Sequence, residues 1–204
     1  MGKGQGRIEA IESNIVRIRP GVLSNSEPLP PFDLLLALPR PQTLKKVLQD
    51  STALGVGKIT LCGAERVEKS YFQSKMLQKE NLRHYLRLGL EQAMCVRLPE
   101  VEIINRMAKV VRQEGFPRTN GVSRAMLFHP GGKTDLLGAI QASPIVQGER
   151  ILAIIGPEGG WLDKEVEAFE SLGCESISLG NRILRVETAV CVALGQLMLF
   201  MNEN

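Results

Sequence analysis

From residue 32 onward the sequence carries apolar runs that do not alternate. Positions 34–38 read Leu-Leu-Leu-Ala-Leu, and positions 151–155 read Ile-Leu-Ala-Ile-Ile. A strand with one wet face alternates apolar and polar residues. A strand that is apolar on both faces has to be covered on both, as in a parallel sheet packed between two helix layers. Helical periods separate these runs. Residues 43–54 repeat along one face through Leu44, Val47, Leu48, Ser51 and Leu54 and stop at Gly55, and residues 75–94 place Leu82, Tyr85, Leu86 and Leu90 together. Further strands are expected at 58–62, 101–104, 124–128 and 176–179. Further helices are expected at 105–114 (capped by Asn105), 163–172 and 187–201. This alternation predicts an α/β fold: a mostly parallel sheet with helices on both faces.

Residues 1–31 follow a different rule. Positions 7–12 and 14–19 alternate, which predicts two short strands about a turn at Ser13-Asn14. Pro20, Gly21, Pro28, Pro30 and Pro31 then read as a linker. Two strands bury too little surface to stand alone. The expected division is therefore a partial β segment with linker at 1–31 and a second domain at 32–204.

Composition narrows the function classes. With 44% apolar residues in 204 the chain can fill a core, which excludes a disordered protein. A net charge of +3 is compatible with a nucleic-acid partner without pointing to one. Only 4% aromatic residues argues against base stacking as the main binding device. Cys62, Cys95, Cys174 and Cys191 stand far apart and form no CxxC pair, so no metal is expected, and their apolar contexts predict reduced, buried thiols. No apolar block opens the chain, and the greasiest stretch, 190–201, falls short of the ~20 residues a membrane span needs. A soluble cytoplasmic protein follows, with no membrane partner.

In an open parallel sheet, ligands bind beyond the carboxyl ends of the strands. The loops after Phe128, Ile155 and Leu179 are therefore the candidate site. The second reads Gly156-Pro157-Glu158-Gly159-Gly160-Trp161. Its glycines let a ligand press against backbone. Glu158 would repel a phosphate, so a neutral or cationic ligand fits better; a tight turn without a ligand is the structural alternative. The third runs from Gly180 through Asn181, Arg182, Ile183, Leu184, Arg185 and Val186 to Glu187 and Thr188, either of which can cap the following helix. Arginines there can grip an anion or polarise a carbonyl, or one can simply pair with Glu158 or Glu187. The first contains His129 and a Gly-Gly-Lys-Thr string at 131–134. Leu127 occupies the place where a P-loop needs its first glycine, so no phosphate loop is present. His129 reads as structural or as a polar contact. The apolar 190–201 helix serves as core or as a dimer interface.

Taken together, the 155–161 and 179–189 motifs resemble the small-subunit ribosomal RNA (uracil-N3) methyltransferases of the SPOUT class. Weaker resemblance covers Leu54-Gly55-Val56, Glu65-Arg66, Glu91-Gln92 and Pro99-Glu100-Val101, so the match spans roughly 32–204. The resemblance implies a trefoil-knotted α/β domain, S-adenosylmethionine held by the three loops, a homodimer through the knot helices, and a preceding PUA-like β-barrel of which 1–31 is a remnant. It implies cofactor contacts from Leu127, Phe128, His129, Ile155, Gly156, Pro157, Glu158, Gly159, Gly160, Leu179, Gly180, Arg182, Ile183, Leu184 and Thr188. It also implies RNA contacts from Arg66, Glu91, Gln92 and Arg97. Arg7, Arg17, Arg19, Lys45 and Lys46 are further RNA candidates by position. The chain departs from the family pattern at Cys95 (usually arginine), at Asp50-Ser51-Thr52-Ala53 (usually Lys-Ala-Thr-Glu) and at Val186 (usually threonine), so the cofactor loops match better than the RNA face.

The expected reaction is methylation of N3 of a uridine in 16S ribosomal RNA. Arg185 would stabilise the anion that develops as N3 loses its proton, and Glu187 would orient Arg185. The competing readings are a non-catalytic relative that binds cofactor or RNA, and an unrelated nucleotide-binding α/β module.

Overall fold

The computed structural model describes residues 2–25, 28–119 and 121–201. The first element is an antiparallel ribbon of β1 (Gly2–Glu12) and β2 (Ile15–Asn25), turning at Ser13-Asn14. Both strands are longer than the alternation suggested. β2 runs through Pro20-Gly21, with Pro20 opposite Gly6 and the register shifting on either side of that pair's neighbourhood, between Gly4 and Gly6 and between Ile8 and Ala10. Proline is tolerated there because a two-stranded ribbon consists only of edges.

The main sheet holds seven strands in the order β5-β4-β3-β8-β6-β9-β7, and every pairing is parallel. Its members are β3 (Phe32–Ala37), β4 (Lys58–Cys62), β5 (Glu100–Ile104), β6 (Val122–Phe128), β7 (Thr134–Asp135), β8 (Arg150–Ile155) and β9 (Glu175–Ser178). β3 is buried at all six positions, as its unbroken apolar run requires. Phe32, Leu34 and Leu36 face a core shared with Leu44, Val47 and Leu48 of α1 (Pro41–Ala53), Leu82 and Leu86 of α2 (Lys79–Gln92), and Val190, Leu194 and Leu197 of α6 (Val186–Met201). Leu35 and Ala37 face the opposite core. It is completed by Met107 and Val110 of α3 (Met107–Val111) and Phe169 of α5 (Asp163–Ser171). At the amino end of the sheet the Arg150 guanidinium forks onto Asp33 at 2.8 and 2.6 Å, joining β8 to β3. Gly89 lets α2 close on α1, because a Cβ there would run into the Gln49 carbonyl.

Several boundaries differ from the sequence expectation. The long helix begins only at Lys79, after a separate 3-10 turn at Lys75–Leu77 whose Met76 N–H donates to Ser74 Oγ at 3.1 Å. Asn105 does not cap α3. Arg106 holds that position, and the Met107 N–H donates instead to the Gly63 carbonyl at 2.7 Å. Neither Glu187 nor Thr188 caps α6; both lie within its first turn, and the Ala189 N–H donates to the Arg185 carbonyl at 2.8 Å. Strand β7 and α4 (Leu136–Ala142) were not anticipated. Their signal was Asp135, whose Oδ1 accepts the Gly138 N–H at 2.7 Å as a helix cap.

Candidate functional site

The loops after β6, β8 and β9 meet beyond the carboxyl ends of the strands and enclose a cleft of about 590 Å3. The β6 loop contributes Phe128, His129, Pro130 and Gly131. The β8 loop contributes Ile155, Gly156, Pro157, Glu158, Gly159, Gly160 and Trp161. The third contributes Ile183, Leu184, Val186 and Ala189. The floor is therefore largely apolar, while Asp163 and Glu167 of α5 add carboxylates to the lining.

The β8 loop has little freedom. Its Gly160 N–H closes a turn on the Pro157 carbonyl at 2.8 Å, and Gly160 sits at φ +71°, in the left-handed region. A Cβ on Gly156 would lie 3.0 Å from Trp161 Nε1. Trp161 is 7% exposed and stands edge-on to Phe169, 5.2 Å between ring centroids. Its indole N–H has no acceptor among the described residues, which leaves an unspent donor beside the cleft floor. Glu158 turns away from the arginines of the third loop: its Oε1 accepts the Arg40 backbone N–H at 3.0 Å. Arg40 Nε in turn donates to Tyr71 Oη at 3.3 Å.

His129 is held at both ring nitrogens. Nδ1 accepts the Gly131 N–H at 3.2 Å, so Nε2 carries the proton and donates to Ser176 Oγ at 2.7 Å. Ser176 also hydrogen-bonds Glu170, which pairs with Lys133 at 2.7 Å. Burial lowers the His129 pKa and nearby Lys133 adds to the effect, against an opposing pull from Glu170, so the ring is neutral at pH 7. The His129 loop packs tightly on β9, since a Cβ on Gly132 would strike the backbone between Ile177 and Ser178.

The cleft takes in ten of the residues expected to hold cofactor: Phe128, His129, Ile155, Gly156, Pro157, Glu158, Gly159, Gly160, Ile183 and Leu184. Leu127 points the other way, fully buried in the core on the opposite face of the sheet, because neighbouring strand residues alternate sides. Leu179 packs against the α1–α2–α6 core. Gly180, at φ +105°, makes the turn after β9, and Gly180, Arg182 and Thr188 are exposed outside the cleft lining. Arg185 is also exposed and outside the lining, and the guanidinium groups of Arg182 and Arg185 make no hydrogen bond or ion pair among the described residues.

The Glu187 carboxylate takes a different partner from the one expected. Lys46 of α1 reaches it at 3.3 Å, whereas Arg185 acts on it only as a nearby charge. A backbone hydrogen bond comes first among the causes that hold the Glu187 pKa below the usual carboxylate range, with Lys46 contributing.

Arg66, expected on the RNA face, instead lines the cleft and donates to the Gly159 carbonyl at 2.5 Å. Glu91, Gln92 and Arg97 are exposed at and beyond the end of α2, outside the lining. Arg17 and Arg19 pair with Glu12 and Glu9 at 3.6 and 2.6 Å, and Lys45 lies over the Tyr85 ring, 5.6 Å from its centroid. Of the four thiols, Cys62 and Cys174 are buried; burial raises the Cys62 pKa, and pushes that of Cys174 up to about 12. Among the described residues, no group of three or more His, Cys, Asp or Glu side chains is placed to hold a metal ion, and no helix is long and apolar enough to cross a membrane.

Glu165 was not singled out in the sequence. It is 4% exposed, yet makes no ion pair among the described residues. Its Oε2 accepts the Leu162 N–H at 2.8 Å, and its Oε1 accepts the Glu65 N–H at 3.0 Å. It therefore caps α5 and ties the segment after β4 to the β8 loop. Its signal was the position three residues past Leu162, where a helix-capping carboxylate falls.

Comparison with known proteins agrees with this geometry. A family model described as an RNA methyltransferase domain matches residues 25–198. The chain is 30% identical over 192 residues to the ribosomal RNA small subunit methyltransferase E of Treponema pallidum, covering 94% of this chain and 71% of that one. A Legionella pneumophila structure, described as a methyltransferase in complex with the bound cofactor SAM, superposes with a TM-score of 0.73 at 27% identity, covering 95% of this chain and 77% of that one. The SpoU methyltransferase AviRb from Streptomyces viridochromogenes shares the fold, at TM-score 0.54 and 15% identity over 82% of this chain and 58% of that one.

Proposed function

The chain belongs to the RNA methyltransferase domain family, and on that premise we propose that it transfers a methyl group from S-adenosylmethionine to N3 of a uridine in small-subunit (16S) ribosomal RNA. The observation that carries this reading is the cleft itself. Three loops at the carboxyl edge of a parallel sheet enclose an apolar floor, a glycine-lined wall and carboxylates, with no phosphate loop. An apolar floor suits a purine, bare backbone suits its polar edge, and carboxylates suit a cation. When bound, S-adenosylmethionine supplies an electrophilic methyl group on a sulfonium.

The residues that would hold it are Phe128, Ile155 and Leu184 by packing, and Gly156 and Gly160 through backbone groups. Arg185 is the catalytic candidate. Removing the N3 proton of uracil places negative charge on the flanking carbonyl oxygens, and the Arg185 guanidinium, which makes no hydrogen bond or ion pair among the described residues, would stabilise that charge. Glu187, paired with Lys46, would position Arg185 indirectly by fixing the first turn of α6 on α1.

On the same reading, residues 1–31 form a β segment and linker beside a methyltransferase domain at 32–204, whose last segments thread a trefoil knot. The protein acts in the cytoplasm as a homodimer. Leu199, 66% exposed near the end of α6, and Ile183, 88% exposed before its start, are apolar side chains a second copy would cover. Sedimentation at micromolar concentration tests the dimer.

Transfer of tritium from labelled S-adenosylmethionine into small ribosomal subunits, followed by nucleoside analysis, tests the function. Labelled N3-methyluridine is the expected product. Binding of the methyl donor without transfer would favour a non-catalytic relative.

A further inference from the structure

The loop at 156–160 is tied on two sides, by the Arg66 side chain that reaches it and by its own Glu158 side chain that reaches out to Arg40. On one side lies Arg66. Its Nη1 donates to the Gly159 carbonyl at 2.5 Å, and its Cβ and Cδ lie 3.1 Å from where a Cβ on Gly159 would stand, so the aliphatic stem packs flat on the glycine. Only a glycine lets the arginine lie this close. The backbone under Arg66 is fixed as well: the preceding Glu65 donates its N–H to Glu165 at 3.0 Å, and its carboxylate pairs with Lys164 at 3.0 Å, both at the start of α5. On the other side lies Glu158, whose Oε1 accepts the Arg40 N–H at 3.0 Å at the amino end of α1.

From this arrangement we propose that Arg66 and Glu158 are positioning residues that set the shape of the 156–160 loop, and that their role is neither phosphate contact nor charge contact to the methyl donor. The inference rests on the reading of the cleft as the methyl-donor site. Arg66 belongs to the loop after β4, and Arg40, which Glu158 holds, to the loop after β3, so the device also links donor binding to two strands that do not line the cleft.

Substitution separates positioning from direct contact. Glutamine at 158 keeps a carbonyl oxygen able to accept the Arg40 N–H but removes the charge. Lysine at 66 keeps the charge but cannot reproduce the guanidinium lying over Gly159. The experiment is calorimetric titration of S-adenosylmethionine into the wild type, Arg66→Ala, Arg66→Lys, Glu158→Ala and Glu158→Gln. It is joined to the salt dependence of binding to small-subunit ribosomal RNA and to unfolding midpoints that confirm each variant is folded. The expected result is a Kd for the donor raised about ten-fold in Arg66→Ala and in Glu158→Ala, the loss of one hydrogen bond to a charged group in each. Glu158→Gln stays within about two-fold of wild type, Arg66→Lys falls between, and the slope of log affinity against log salt does not change. Unchanged donor affinity in Arg66→Ala overturns the proposal, and a slope reduced by about one would identify the arginine as a phosphate contact instead. Glu158→Gln as weak as Glu158→Ala overturns it too, in favour of a charge contact. A wild type that binds no donor rejects the reading of the cleft, and the proposal with it.

Discussion

Replacing Glu165 by glutamine alters a single atom pair in the protein, and the structure predicts a large cost. The carboxylate is 4% exposed and has no cation partner among the described residues; each oxygen instead accepts one backbone N–H, from Leu162 at 2.8 Å and from Glu65 at 3.0 Å. Hydrogen bonds to a charged group contribute about 1.5–3 kcal/mol each. Leu162 and Glu65 are not fully buried, so water recovers part of the loss and the lower figure applies. Glu165→Ala, which removes both bonds, should then cost about 3 kcal/mol. Glutamine keeps one acceptor but turns its NH2 toward the other N–H, a donor facing a donor, so Glu165→Gln should still cost about 2 kcal/mol. For a chain of this size that lowers the melting temperature by about 4–8 °C for glutamine and about 6–12 °C for alanine. Urea unfolding at pH 7 with unchanged m-values checks both. A glutamine variant within about 0.5 kcal/mol of wild type would refute the reasoning, because that is the size of an ordinary surface substitution. It would mean that only one oxygen does any work.

Three further outcomes are expected. Gly132→Ala should destabilise by about 2 kcal/mol or more in the same urea assay, since the added methyl meets the Ile177–Ser178 backbone rather than a side chain that can move; a neutral effect would mean the β6 loop does not pack on β9 as described. Arg185→Ala should lower turnover on ribosomal RNA by about 10²–10³ with the donor Kd unchanged, the signature of a group acting only in the transition state, and full turnover would remove Arg185 from the mechanism. The His129 ring should titrate by NMR below the usual ~6.5. With the folded pKa below the unfolded one, its contribution to stability is complete above the unfolded value of ~6.5 and is lost as pH falls from there through the folded pKa. A midpoint above ~6.5 would contradict the half-buried, doubly bonded ring.

The unbroken apolar runs at 34–38 and 151–155 were enough to call for a parallel sheet covered on both faces, because an apolar strand has no other stable place. The glycines at 156, 159 and 160 and the arginines at 182 and 185 marked two candidate ligand loops, and these do close one cleft together with the loop after Phe128. What sequence order could not supply was direction and partnership. Leu127 and Phe128 are equally apolar neighbours, yet strand alternation sends one into the core and the other to the cleft. Arg66 and Gly159 are 93 positions apart, and Lys46 and Glu187 are 141 apart. Their pairing exists only because the strand order sets β8 beside β3 and α1 against α6. Glu165 looked like one surface carboxylate among many until folding left two backbone donors with nowhere else to turn. Local periodicity and glycine placement, which act over a few residues, determined the layers and the loops. The identity of each side chain's partner depended on contacts between distant segments, and only the tertiary structure decided those.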